Sequence, residues 1–211
     1  MRLSQLFTKP SRTKVKTEDS ISGQLLTQAG FIHKLASGSY DYLPLGFRVL
    51  KKIENIIREE FHKVQAQEIL SPIVHPASLW QESGRLKDFG PELIIFKNRK
   101  KQQLVLAPTH EETISLIARK YLNSYQDLPL LINQIQTKYR DEPRPRGGLL
   151  RAREFIMQDG YSFDIDKKGL DQAYLKVRKV YQSIFKRCGL EPTVVDSDVG
   201  PMGGYGEEEF M

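Results

Sequence analysis

An α+β fold, in which an antiparallel sheet is flanked by helices, is predicted by three features of the chain. Residues 134–163, QIQTKYRDEPRPRGGLLRAREFIMQDGYSF, hold two strand-like runs on either side of a basic loop and read as one long hairpin. Gly46 to Val64, and a second stretch from Asp166 or Lys168 to Gly189, repeat apolar residues at spacings of three and four, the period of amphipathic helices. Finally, no glycine-rich loop leads from a strand into a helix, as a parallel dinucleotide-binding sheet requires. Glycines 200, 203, 204 and 206 have no helix after them.

The elements follow in order. The N-terminus, MRLSQLFTKPSRTKVK, is basic and poor in acids like a transit peptide, but Pro10 interrupts any amphipathic helix, so it reads as mature protein. Glu18 to Lys34 predicts a helix ending near Gly30, capped by Ser20 or Ser22. Residues 35–46, LASGSYDYLPLG, read as a loop with short extended pieces. In the first long helix Leu50, Ile53, Ile57, Phe61 and Val64 form the buried stripe, leaving Lys51, Glu54, Arg58 and Glu59 outside. Glu68 to Val74 is a short strand that Pro72 confines to an edge; it serves a dimer surface or a plain surface strand equally well. Leu93–Lys97 and Gln103–Leu106 pair around the turn NRKKQ.

Thr109 and Glu112 have the spacing of a capping box, with Ile114, Ile117, Tyr121 and Leu122 as the stripe of the helix they start. Glu111 has no capping duty, and a carboxylate at a helix start beside a cleft can receive an ammonium group, although a structural role is the commoner fate of such a residue. The second long helix buries Leu170, Tyr174, Val177, Tyr181, Ile184 and Phe185 and stops at Gly189. A strand at Thr193–Asp196, a glycine-rich turn over 200–206 and a strand entrance at Glu207–Met211 complete the chain.

Composition bounds the partners. The 211 residues, 39% hydrophobic and 27% charged, suffice for one large domain, or one domain with an appendage. The net charge of +6 suits a polyanionic partner and a merely basic surface alike. A single cysteine, Cys188, excludes a disulfide framework and a cysteine metal cluster and points to a reducing cytosol. No apolar run approaches the ~20 residues that cross a bilayer.

The hairpin carries the chemistry. On its first strand Gln134, Gln136, Lys138, Arg140 and Glu142 share one parity and should line a wet cleft. A second strand beginning near Arg151 sets Arg151, Arg153, Phe155, Met157 and Asp159 on one face. Guanidinium forks grip phosphate oxygens and an aromatic ring stacks on a base, so this floor suits a nucleoside triphosphate.

Four stretches then carry a resemblance: residues 34–53 (KLASGSYDYLPLGFRVLKKI), 69–85 (ILSPIVHPASLWQESGR), 106–112 (LAPTHEE) and the hairpin. The chain resembles the amino-terminal part of a class II aminoacyl-tRNA synthetase, and within that class is similar to the prolyl-tRNA synthetases of prokaryote-like type. Residues about 46–75 resemble motif 1, which builds the dimer interface, and about 134–163 resemble motif 2. The resemblance implies a class II antiparallel sheet and a proline–tRNA ligase that activates proline with ATP and Mg²⁺ and charges tRNA(Pro), as a cytoplasmic homodimer. It gives Arg140 the catalytic role, holding the α-phosphate and the amino-acid carboxylate. ATP would be bound by Arg140, Glu142 at the adenine end, Arg151 on the far phosphates and Phe155 on the ring. Thr109, Glu111 and Arg140 would bind the amino acid, Glu111 pairing with its ammonium group. No metal-binding side chains are implied.

Two departures accompany it. The family's third motif, editing insertion and anticodon-binding domain lie outside these 211 residues, so the expectation is a part of a larger synthetase. Where the family reads Ser-His-Glu-Phe, this chain has Glu207-Glu208-Glu209-Phe210. The alternative reading is a non-catalytic synthetase-like paralogue or fragment that binds a ligand, tRNA or a partner subunit.

Overall fold

A computed structural model describes residues 2–13, 15, 18–197 and 206–211. Most of the glycine-rich turn predicted over 200–206 lies outside the described residues. The chain runs α1 (Ile21–Gln28), β1 (Ile32–Ala36), β2 (Ser39–Tyr42), α2 (Pro44–Lys63), β3 (Gln67–Glu68), β4 (Val74–Pro76), α3 (Ala77–Glu82), α4 (Arg85–Asp88), β5 (Ile94–Lys97), β6 (Gln103–Leu106), α5 (Glu111–Tyr121), β7 (Leu130–Tyr139), β8 (Glu154–Phe163), α6 (Lys167–Arg187), β9 (Val194–Asp196) and β10 (Glu208–Phe210). The α+β class is as expected, and the strands divide among small sheets. The central one has the order β3-β7-β8, with β7 and β8 antiparallel from Leu130↔Phe163 to Tyr139↔Glu154. Its β3 edge is parallel to β7, so the sheet is not wholly antiparallel. A second sheet, β4-β6-β5, is antiparallel throughout.

The predicted strand over Glu68–Val74 is instead split between these two sheets, β3 joining β7 and β4 joining β6. Pro72 lies between them and lacks the N–H that a continuous ladder needs. Residues 32–42, expected as helix end and loop, form the β1–β2 hairpin, because α1 ends at Gln28 and Gly30 turns with φ 71°. Ser20 caps α1 by accepting from the Gly23 N–H at 3.0 Å. Helix α2 opens with Pro44 in its first turn, where the missing N–H is harmless. A Cβ at Gly46 would lie 2.1 Å from the Phe31 carbonyl oxygen, so only glycine lets α2 pack this tightly on the start of β1.

The α2–α6 core gathers Phe61, Val180 and Ile184, with Tyr181 edge-on to Phe61 at 5.8 Å. Two parts of the predicted stripes are not buried. Ile53 of α2 is 39% exposed, whereas Glu54, expected outside, is 3% exposed and held by Lys51 at 2.7 Å and Arg58 at 3.3 Å. Leu170 and Tyr174 in the first turns of α6 are exposed, since the α2–α6 cluster forms around its C-terminal half. At the far end, Arg187 to Glu60 at 2.7 Å pins α6 to α2, and together with Lys63 of α2 at 2.6 Å it holds the Glu60 carboxyl down to about 2. A separate core of Ala77, Trp80, Phe89, Leu93 and Val105 packs α3 and α4 on the second sheet.

Candidate active site

Arg140, Glu142, Arg151 and Phe155 line one cleft of about 510 Å³, within the size range of small-ligand sites. Arg140 follows the end of β7 and its guanidinium stands 5.5 Å from the Phe155 ring centroid, while its Nε donates to the Pro108 carbonyl at 3.3 Å. Burial lowers the Arg140 pKa, and the carboxylates of Glu92 and Glu111 oppose that shift. β8 begins at Glu154 rather than near Arg151, because Arg151 instead forms an isolated bridge with Arg146 across the loop. The Arg151 Nε donates to Glu142 at 2.7 Å, so these two predicted ATP ligands bind each other in the free protein. The Arg144 backbone N–H at 2.8 Å is the chief cause of the lowered Glu142 pKa.

The N-terminal segment braces the basic loop. Asp19 accepts from the Gly147 N–H at 3.3 Å, and a Cβ at Gly148 (φ 64°) would meet the Gly23 Cα at 3.1 Å. Arg153 donates to the Ser37 and Glu142 carbonyls at 3.1 and 3.0 Å, while its backbone N–H binds the Gly38 carbonyl at 2.8 Å.

Thr109 and Glu111 meet at the start of α5, where Glu111 lines a separate pocket with Arg85, Glu112 and Arg119, and its charge acts on Arg140. The Thr109 hydroxyl donates to Glu111 Oε2 at 2.5 Å, and an Arg85 guanidinium N–H reaches the same oxygen at 3.3 Å. The predicted capping box does not form: α5 begins at Glu111, its N-cap is His110, and no side chain caps it. Glu112 turns inward, accepting from Arg85 at 3.0 Å and from the Ser83 hydroxyl at 3.2 Å, and burial raises its pKa. Tyr121, expected in the α5 stripe, is 65% exposed; Ile114 and Ala118 carry its packing. Arg140, anchored on Pro108, links the Thr109–Glu111 corner to the cleft.

The polar face of β7 is sealed rather than wet over most of its length. Gln134 and Lys138 are both 0% exposed. Ser71 donates its N–H to Gln134 at 3.1 Å, and Gln134 donates to Asp159 at 2.9 Å. The Lys138 ammonium lies 2.8 Å from Asp159 Oδ1 and donates to His110 Nδ1. The Tyr161 hydroxyl donates to Asp159 at 2.5 Å. Beneath, His110 and His75 each bond the Pro72 carbonyl through Nε2, at 3.1 and 2.9 Å, and Trp80 donates to His75 Nδ1 at 3.2 Å. Both histidine pKa values fall to about 4, chiefly through burial. Strand parity put Lys138 and Asp159 on one face; nothing in the pattern pointed to His75, His110, Tyr161 or Arg85.

Of the two acidic replacements, Glu208 accepts from Arg178 at 2.6 Å, and the backbone carbonyl of Glu207 accepts from the Ser197 N–H at 3.0 Å. Glu209 accepts from the Ser197 hydroxyl at 2.8 Å, and Phe210 packs on Phe185 at 5.4 Å. Among the described residues no three His, Cys, Asp or Glu side chains gather as a metal site, and no helix is long and apolar enough to cross a membrane.

The chain is 50% identical over all 211 residues to a proline–tRNA ligase of Dehalococcoides mccartyi, and 51% identical to one of Moorella thermoacetica. It spans 37% of the length of each of those relatives. A prolyl-tRNA synthetase of Giardia lamblia, solved with prolyl-adenylate, superposes with a TM-score of 0.75 at 26% identity, covering 81% of this chain and 36% of that one. The fold is also that of a Cryptosporidium parvum prolyl-tRNA synthetase, with a TM-score of 0.72 at 24% identity over 82% of this chain and 35% of that one. Residues 94–211, which contain Thr109, Glu111 and the whole β7–β8 hairpin, match the tRNA synthetase class II core domain (G, H, P, S and T), and the chain belongs to that family.

Proposed function

We propose that this chain is the amino-terminal part of the catalytic core of a proline–tRNA ligase. The observation that carries the reading is the position of Arg140, held on Pro108 between the cleft over Phe155 and the Thr109–Glu111 pair. ATP lies in the cleft with its adenine on Phe155, and Arg151 and Glu142 release each other to take the far phosphates, where Mg²⁺ would supply counter-charge, and the adenine end. Proline places its ammonium on Glu111, with Thr109 holding that carboxylate, and its carboxylate on Arg140. A carboxylate oxygen attacks the α-phosphorus, an acyl–phosphate bond forms, and the bond to pyrophosphate breaks. Arg140 stabilises the developing charge, so the chain acts by position and electrostatics. A terminal hydroxyl of tRNA(Pro) then attacks the acyl carbon and releases AMP.

The resemblance to motif 1 over about 46–75 and to motif 2 over about 134–163 supports a larger parent with a third motif elsewhere. Exposed Phe47, Val49 and Ile53 on α2, with Leu70 and Val74 beyond it, support homodimerisation through motif 1. A cytoplasmic location follows from the same reading. The test is equilibrium binding of sulfamoyl analogues of the prolyl, threonyl, seryl and alanyl adenylates. Preference for the prolyl analogue, lost in Glu111→Ala, supports the ligase; equal binding of all four, or none by folded protein, favours the non-catalytic relative.

A further inference from the structure

We infer that Lys138, which the proposed mechanism leaves unused, is the positioning residue of the amine subsite: its ammonium group holds Asp159 and His110, and because His110 is the N-cap of α5, between Thr109 and Glu111, this fixes the orientation of Glu111. The inference rests on the reading of Glu111 as the ammonium ligand. Lys138 is fully buried, and a buried charge persists only when it is paired and hydrogen-bonded. Its partners are Asp159 Oδ1 at 2.8 Å and His110 Nδ1.

Donor chemistry fixes the protons. An ammonium group only donates, so His110 Nδ1 is unprotonated and its Nε2–H donates to the Pro72 carbonyl. The Trp80 indole likewise only donates, which gives His75 the same tautomer on the same carbonyl. Asp159 spends its other oxygen on Gln134 and Tyr161, while His110 leads directly into Glu111, whose carboxylate Thr109 holds from the other side of that histidine. Lys138 therefore sits at the centre of the buried network that joins His110 at the start of α5 to Asp159, Gln134 and Tyr161. The Lys138–Asp159 pair is neutral within itself, so it adds no net charge to the subsite that Glu111, Arg85 and Arg140 form.

The variant is Lys138→Met, which keeps length and removes charge, with Lys138→Met/Asp159→Asn as a second variant that leaves no buried charge unpaired. Proline and ATP are titrated separately by calorimetry against the protein. In Lys138→Met the proline dissociation constant should rise about 30-fold or more while that of ATP stays within about threefold, the scale of losing a charged hydrogen-bond network at one subsite only. The double variant should recover part of the proline affinity. Equal losses for both ligands, or unchanged proline binding, overturn the inference.

A ligand-free readout separates the two proposals. The groups facing His110 are Lys138, Asp159 and His75. With Lys138 gone, His110 should take a proton to pair with Asp159, and its pKa, read from imidazole ¹⁵N shifts, should climb from about 4 to above its ordinary 6.5. A His110 titration that does not move refutes the role of Lys138 whatever the substrate is. If the wild-type protein binds ATP without proline while the His110 shift occurs, the proline assignment fails and the organising role of Lys138 stands.

Discussion

Replacing Arg140 by alanine removes the guanidinium that lines the Phe155 cleft and is anchored on Pro108, next to Thr109. Adenylate formation should fall by about 10²–10³-fold or more in a protein carrying the whole active site, as when a preorganised transition-state donor is lost. Burst measurements of adenylate would detect it, and a near-wild-type rate would remove Arg140 from the catalytic role. Glu111→Gln keeps the shape and removes the charge, so the amino-acid KM should rise by at least about tenfold with the ATP KM little changed. A matched rise in both would mean that the residue merely supports the start of α5. Arg140, Arg151 and Phe155 were readable from strand parity as a charged floor with an aromatic ring, whereas Thr109 and Glu111 were singled out by the resemblance. Their partners were not: Arg85 reaches Glu111 from α4 at 3.3 Å, a contact across 26 positions that no local pattern encodes.

Among the elements, the helices and the long hairpin were legible because their periodicities are strong, and the β7–β8 register puts Gln134 opposite Asp159 and Lys138 opposite Phe155, as the shared-face reading requires. The same period misled where tertiary contacts override it. Glu54 was assigned to solvent by position, yet Lys51 and Arg58 screen it from water. Thr109 and Glu112 fit a capping box by spacing, yet each finds a stronger charged or acidic partner elsewhere. The α2–α6 clamp gives a direct test of packing. Glu60→Gln should destabilise the fold by about 1 kcal/mol at neutral pH, because its cationic partners are partly exposed. Glu60 titrates near 2 in the folded state against an ordinary 4.5, so its contribution is complete above 4.5 and disappears as the pH falls towards 2. Urea denaturation of both proteins across that range should show the difference closing; a constant gap would contradict the ion-pair origin.

At the scale of the whole molecule, two histidines buried in their neutral form couple the site to stability. His75 and His110 titrate near 4 when folded and near 6.5 when unfolded, so the unfolded chain takes up protons first as the pH falls through that window. Unfolding free energy should drop with decreasing pH from 6.5 to 4, by up to about 1.4 kcal/mol per pH unit per histidine. Flat stability there, followed by denaturant melts, would mean that water reaches both rings. The catalytic claim meets its most direct test in amino-acid-dependent ATP–pyrophosphate exchange, run on the protein that carries this chain with proline, threonine, serine and alanine at matched concentrations. Exchange with proline well above the other three, abolished by Arg140→Ala, is the expected result; exchange led by another amino acid, or surviving that substitution, would contradict it.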